Sequence, residues 1–262
     1  MGTVQPTGLW LVLLCGLGES GFDLIIWHHQ NMRIAIYLTN PEPEGFKAGD
    51  QHYGEMFEDM LRPHMGGTIF EHFDVASGEF PDNPNDFDAV VITGSSAFVT
   101  DDDLWIEKLF EHIRIIDKSG TKLFAVCFGH QAVAAAFGGI VEHRDIVLGT
   151  PRIDISEDCD WMQPAARSMR LFAGNFQQVV QAPGSLQVIG SHPDCPVAMT
   201  IKADHILTVQ FHPELSATYM RTYVDLIADD ITAECAASAL KSFEGGSDGY
   251  IFAKWAAAFL IN

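Results

Sequence analysis

Cys127 stands inside "KLFAVCFGHQAVAAAFGG", residues 122–139. "TKLFAV" reads as a short buried strand. The stretch from Phe128 to about Phe137 reads as a helix, closed by Gly138 and Gly139. A helix N-terminus directs unpaired N–H groups and a partial positive charge at whatever precedes it. Both favour the thiolate, the nucleophilic form of cysteine. Gly129 permits close packing at a sharp strand-to-helix elbow, and the Phe128 N–H would face a developing oxyanion. The alternative is a small apolar residue at a tight βα turn.

A second candidate group is His212-Pro213-Glu214 in "QFHPEL", after the apolar run Ile206–Phe211. Pro213 prevents the segment from continuing a central strand. A histidine that takes a thiol proton while a carboxylate orients it is the logic of a triad. The alternative is a surface loop with a chance His-x-Glu. A third stretch, "VVITGSS" (90–96), ends a strand in a small-residue turn. In open α/β sheets, reactive groups gather outside the carboxyl ends of strands, which is where all three stretches fall.

The elements that must position them alternate. Strands are predicted over 32–40, 68–75, 87–96 and "TKLFAV". A helix over 51–62 carries Tyr53, Met56, Phe57, Met60 and Leu61 at helical spacing, and "HMGG" stops it. Residues 41–50 and 77–86 read as loops. "TDDD" (100–103) offers N-cap candidates for a helix with Leu104, Trp105, Leu109 or Phe110, Ile113 and Ile116 inward, ended by Gly120. Asp101–Asp103 read as a capping cluster rather than a cation site. The second half is strand-rich: "PRIDIS", "SMRLFAG", "SLQVIGS", "CPVAMTIK" and "HILTVQF". A helix from about Ser216 to Ala228 and a packed terminal helix, "YIFAKWAAAFL", follow. This pattern implies an α/β fold, a mostly parallel central sheet with helices on both faces and extra strands in the second half.

Taken together, the elbow "AVCFGHQ" and the later "HPE" resemble the class I glutamine amidotransferases, the Cys-His-Glu triad family, whose elbow reads G-x-C-x-G-x-Q. The turn Thr93-Gly94-Ser95 is similar to that family's glycine-containing oxyanion loop. "TDDDLWI" and "NFQQVVQAPGSLQVIGSHPDCPVA" resemble stand-alone bacterial members described as GMP-synthase-like. The similarity runs from about Met32 to near Ala228. It implies a flavodoxin-like architecture and a glutaminase reaction. Cys127 would be the nucleophile, His212 the base steered by Glu214, and Gly94 and Phe128 the oxyanion donors. Gln131, one helical turn beyond the elbow, would help hold glutamine. The resemblance implies no cofactor and no metal, and the chain carries no P-loop glycine–lysine pattern and no His-x-x-x-His pair.

Three departures bear on substrate. Ala125 stands where the family usually has Gly, so its methyl is expected to crowd the elbow or the substrate backbone. Phe176 and Gln177 stand in "AGNFQQVV" where relatives resemble "HQDQV", in a predicted substrate loop. The 94–97 loop lacks the second glycine of some members. A γ-glutamyl peptidase or hydrolase on the same triad is therefore one alternative, and a non-catalytic binding or regulatory protein another. A separate synthetase chain is a possible partner for released ammonia.

The bulk numbers fit this. The 262 residues are 47% hydrophobic and 19% charged, enough for a sizeable core. A formal net charge of −20 repels phosphate backbones and argues against nucleic-acid binding. The five cysteines, Cys15, Cys127, Cys159, Cys195 and Cys235, are scattered and form no C-x-x-C pair, which fits a reducing cytoplasm. Residues 1–31 contain the apolar run "GLWLVLLCGLG", preceded by no Lys or Arg and too short to span a bilayer. They are expected to be an extension outside the fold, with a weak membrane or partner anchor as the alternative. His28-His29 lies there without a partner motif. One domain is predicted over 32–262. Met56, Phe57, Met60, Trp105, Trp161 and Trp255 are assigned to packing.

Overall fold

The computed structural model describes residues 32–40 and 53–262. The predicted extension over 1–31, the loop over 41–50 and the first two residues of the predicted helix over 51–62 lie outside the described residues.

Five parallel strands form the half of the sheet that matters for chemistry. They are β1 (Arg33–Leu38), β2 (Ile69–Asp74), β3 (Ala89–Ile92), β4 (Lys122–Val126) and β11 (Ile206–Val209), in the spatial order β2-β1-β3-β4-β11. The chain runs from β1 outward to β2, then returns to the other side of β1 for β3. The order of connection therefore reverses at β1. The sheet continues antiparallel through β10 (Cys195–Lys202), β9 (Gln187–His192), β6 (Arg152–Ile155) and β7 (Ser168–Arg170). A separate two-stranded sheet pairs β5 (Ile140–Gly149) with β8 (Ala173–Gln181).

The inner parallel strands β1, β3, β4 and β11 are buried on both faces, so their side chains divide by a period of two, while β2 is the more exposed edge strand. In β1, Ile34 and Ile36 join a core with Phe124, Val126, Phe252 and Trp255, against α1 (Tyr53–Leu61) and α6 (Gly249–Ile261). Ala35 and Tyr37 face the other way, into a core with Ile92, Leu123, Ala125 and Ile113, against α2 (Leu104–Ser119) and α3 (Phe128–Ala136). Fully burying side chains of this size contributes about 1.5–3 kcal/mol each. A third, smaller core lies under α4 (Ala217–Leu226) and α5 (Ala233–Ser242). It contains Met56, Phe172, Leu215, Met220, Val224 and Phe243.

The α/β architecture is as predicted, and four local expectations need correction. Leu104 is 86% exposed rather than inward. It is the first residue of α2, and the inward stripe begins with Ile106 and continues through Leu109, Ile113 and Ile116. Asp103 occupies the N-cap position but its side chain makes no capping bond; Asp101 instead accepts from the Phe98 N–H at 2.8 Å. "AGNFQQVV" is strand β8, not a loop. Strand β5 and helix α5 were not predicted, because "VEHRD" interrupts the apolar alternation and "AECAASALKS" carries little apolar bulk.

Candidate active site

The carboxyl ends of β3, β4 and β11 lie side by side, and the residues just beyond them meet. β4 delivers Cys127 at φ 52° and ψ −105°, a positive φ that non-glycine residues rarely adopt. The conformation is held from both sides. The Cys127 N–H donates to the Val209 carbonyl at 2.9 Å, and its carbonyl accepts from the Gln131 N–H at 3.0 Å. Gly129 makes the elbow possible: a Cβ there would lie 2.7 Å from the Ile92 carbonyl oxygen and 2.8 Å from Ile92 Cγ2. Its N–H donates to the Thr93 carbonyl at 3.2 Å, locking α3 onto the end of β3.

The β3 turn is pinned as firmly. The Thr39 hydroxyl lies 3.0 Å from the Thr93 carbonyl oxygen and 2.9 Å from that of Gly94. A Cβ on Gly94 would fall 2.8 Å from the Tyr53 hydroxyl, 3.1 Å from His212 Cε1 and 3.5 Å from Cys127 Cβ. Only glycine fits between these three side chains. Phe128 opens α3, so its N–H has no acceptor within the helix.

Beyond β11, the side chains of Gln210 and His212 both reach Cys127. The His212 N–H donates to the Phe172 carbonyl at 2.7 Å. Its Nδ1 lies 2.6 Å from Glu214 Oε1, so the ring proton at Nδ1 faces the carboxylate and Nε2 is left for the cysteine. Burial opposes charge on the ring. The Glu214 carboxylate and Cys127, both hydrogen-bonded to it, outweigh burial and raise His212 to about 10. The Gln210 amide, fully buried, donates to Cys127 Sγ at 3.6 Å. The sulfur thus has the Gln210 amide on one side and the His212 ring on the other. The turn itself rests on α6: a Cβ on Gly249 would meet the Pro213 carbonyl oxygen at 2.4 Å.

Tyr53, at the start of α1, completes the group. Its hydroxyl donates to Glu214 Oε1 at 3.0 Å and lies 3.4 Å from His212 Nδ1. Burial, reinforced by the nearby Glu214 charge, pushes the phenol well above its usual range, so it remains a donor. Among the described residues, Glu214 Oε2 is buried without a hydrogen-bond partner, which concentrates the carboxylate's bonding on Oε1.

Cys127 and His212 open into a pocket of about 270 Å³, close to the lower end of the ~300–1,000 Å³ range of small-molecule sites. Gln131, Phe176 and Gln177 line it, but both side-chain amides among them are already engaged. Gln131 Nε2 donates to the Gln177 carbonyl at 2.7 Å and to Gln210 Oε1 at 3.1 Å. Gln177 accepts from the Val99 N–H at 3.1 Å and donates to the Thr100 hydroxyl at 2.8 Å. Gln131 therefore braces Gln210 beneath the sulfur, and Gln177 anchors the loop after β3. Ala125 does not line the pocket. Its methyl is fully buried in the core that contains Ile92, Phe128 and Ala132, so the expected crowding at the elbow does not arise.

Cys127, His212 and Glu214 are brought together, with Gly94 and Phe128 beside them. The sequence reading missed Tyr53 and Gln210. Gln210 was within reach, being two residues before His212 at a strand end. Tyr53 had no local signal.

A doubly wound sheet with a cysteine elbow at one strand end and a His-Pro-Glu turn at its neighbour defines a class of protein. The glutamine amidotransferase class-I pattern matches residues 70–226, and the chain belongs to that family. Among particular relatives, it is 28% identical to gamma-glutamyl peptidase 2 of Arabidopsis thaliana over 231 residues, 82% of this chain and 91% of that one. It is 27% identical over 134 residues to a glutamine-hydrolyzing GMP synthase subunit of Saccharolobus solfataricus, 50% of this chain and 70% of that one. The fold matches a crystal structure of a glutamine amidotransferase from Thermotoga maritima with a TM-score of 0.72 at 16% identity, covering 89% of this chain and all of that one. Among the described residues, no helix is long and apolar enough to cross a membrane.

Proposed function

We propose that the chain hydrolyses γ-glutamyl amide bonds, glutamine being the smallest such substrate, through a γ-glutamyl thioester on Cys127. The observation that carries this reading is the alignment of Cys127, His212 and Glu214 at adjoining strand ends, with the His212 Nδ1 bonded to Glu214 at 2.6 Å. The Cys127 thiol passes its proton to His212 Nε2, the resulting thiolate attacks the γ-carbonyl carbon, and the carbonyl electron pair moves onto the oxygen. The Gly94 and Phe128 N–H groups receive that oxyanion. As the tetrahedral adduct collapses, the C–N bond breaks, and His212 gives its Nε2 proton to the departing nitrogen. Water then attacks the thioester carbon while His212 takes one of its protons. The C–S bond breaks, glutamate leaves, and the sulfur departs as the thiolate paired with the protonated His212. Each cycle begins from a reduced Cys127, which suits a reducing compartment such as the cytoplasm. Glu214 keeps the imidazole oriented and favours its charged form; Tyr53 holds the carboxylate.

The similarity to gamma-glutamyl peptidases over most of the chain supports substrates larger than glutamine. The competing reading, ammonia delivered to a separate synthetase chain, is favoured by the likeness to the Saccharolobus GMP synthase chain. The test is glutamate release from glutamine and from γ-glutamyl amides, with Cys127→Ala run in parallel. The reading predicts turnover by the wild type and none by the variant. Equal turnover by both would remove Cys127 as the nucleophile, and no glutamate from any γ-glutamyl compound would leave a binding protein on this fold.

A further inference from the structure

The pocket has two unlike ends. One is the polar floor of Gln131, Asn175 and Gln177. The other is an apolar wall that begins immediately after the His-Pro-Glu turn: Leu215, then Tyr219, Met220, Tyr223, Leu226 and Ile227 on and just after α4. This wall adjoins the His212 side of the site. The Tyr219 ring packs against that of Tyr53 with centroids 6.3 Å apart, and Tyr53 is itself bonded to Glu214. The wall is rigid where it is deepest. Met220 is 1% exposed. The Tyr223 hydroxyl donates to the Gly174 carbonyl at 3.2 Å, and Gly174 leaves no room for a Cβ beneath that ring, which would approach it to 2.6 Å. Leu226 forms the rim and is 59% exposed. Among the described residues, no lysine or arginine lines the pocket.

We propose that this wall is a leaving-group subsite, and that the preferred substrates are γ-glutamyl amides of uncharged, apolar amines rather than glutamine or γ-glutamyl amino acids. The inference rests on the reading of Cys127 as the γ-glutamyl nucleophile. His212 must hand its proton to the departing nitrogen, so that nitrogen lies within hydrogen-bond reach of Nε2. Its substituent then extends on the His212 side, away from the acyl carbon, against Leu215 and α4. Ammonia makes no use of this surface. An alkyl or aryl substituent is removed from water there, a gain of roughly fourfold per buried methylene. An amino-acid leaving group carries a carboxylate instead. It would meet no cation among the described residues of the pocket, in a chain of net charge −20, and desolvating it is costly. The bond broken is the same C–N bond in every case; only the substituent differs.

The test is a matched pair, γ-glutamyl-isoamylamide and γ-glutamyl-leucine, which differ by the carboxylate alone, with glutamine as reference. The subsite predicts kcat/KM for the isoamylamide at least tenfold above both others: against glutamine, two buried methylenes already supply a factor of roughly fifteen, and against γ-glutamyl-leucine the difference is the cost of desolvating the carboxylate. Leu226→Lys puts a cation on the rim at an exposed position. It should raise kcat/KM for γ-glutamyl-leucine about two- to fivefold relative to the isoamylamide, and Leu226→Glu should widen the gap. If glutamine or γ-glutamyl-leucine matches the isoamylamide while Cys127 still becomes acylated, the subsite is overturned and the hydrolase reading stands. If no γ-glutamyl compound acylates Cys127, both fall.

Discussion

Replacing Tyr53 by Phe removes one oxygen from the site and leaves the ring's packing against Phe57 and Tyr219 in place. What disappears is a 3.0 Å bond to the buried Glu214 carboxylate. Hydrogen bonds to charged groups contribute about 1.5–3 kcal/mol, and losing a single oxygen atom opens too little space for a water to take its place. At about 2–4 °C per kcal/mol for a chain of this size, the melting temperature should fall by roughly 3–12 °C. The carboxylate is also what steers His212, so part of the loss should appear in kcat, a decrease on the order of tenfold. The assay is a pair of thermal melts and a steady-state comparison on one γ-glutamyl substrate, repeated in a Glu214→Gln background. If Tyr53 acts through Glu214, the two substitutions must couple, with an interaction on the order of 1 kcal/mol. A Tyr53→Phe protein unchanged in both kcat and melting temperature, or one whose effects simply add to those of Glu214→Gln, would refute the assignment.

Glu214→Gln alone removes the charge that most strongly raises His212, leaving only Cys127 to oppose the lowering by burial. In the wild type the folded value of about 10 exceeds the ordinary 6.5, so the charged ring's stabilisation is complete below 6.5 and lost as pH rises towards 10. Melts across that window should show a falling wild-type curve and a flatter variant curve; parallel curves would contradict this. The same variant should lose about 10²–10⁴-fold in kcat/KM. Gly249→Ala, outside both motifs, forces a methyl to within 2.4 Å of the Pro213 carbonyl unless the backbone moves. It should destabilise by about 1–3 kcal/mol and lower kcat by displacing the His-Pro-Glu turn, and a variant with unimpaired kcat would show that the turn does not depend on α6.

How much of this was legible in sequence follows from where the information lies. Cys127, Gly129 and the strand before them are contiguous, so a local pattern exposes the elbow. His212 and Glu214 stand two apart beyond an apolar strand and are equally local. That β4 and β11 are neighbours is not local, because β5 to β10 intervene in the chain; only the family resemblance joined the two motifs beforehand. Tyr53 was hidden by its own periodicity, since with Met56, Phe57 and Leu61 it looks like core. Its hydroxyl reaches Glu214 only because α1 packs beside the ends of β1 and β3. Ala125 looked like an obstruction because its residue type was compared with a motif, whereas the strand's alternation turns its methyl into the opposite core. The segment around Phe176 and Gln177 read as a loop for want of its partner, β5, whose charged residues disguise a strand paired on the surface of the fold.

The central claim is that Cys127 carries the γ-glutamyl group. Rapid acid quenching during turnover of a γ-glutamyl amide, followed by mass analysis of the peptide spanning Cys127, measures it directly. The account predicts a γ-glutamyl thioester on that cysteine, formed at the rate of amine release and absent in Cys127→Ala. Amine release that continues in Cys127→Ala, or an adduct on any residue other than Cys127, would contradict it.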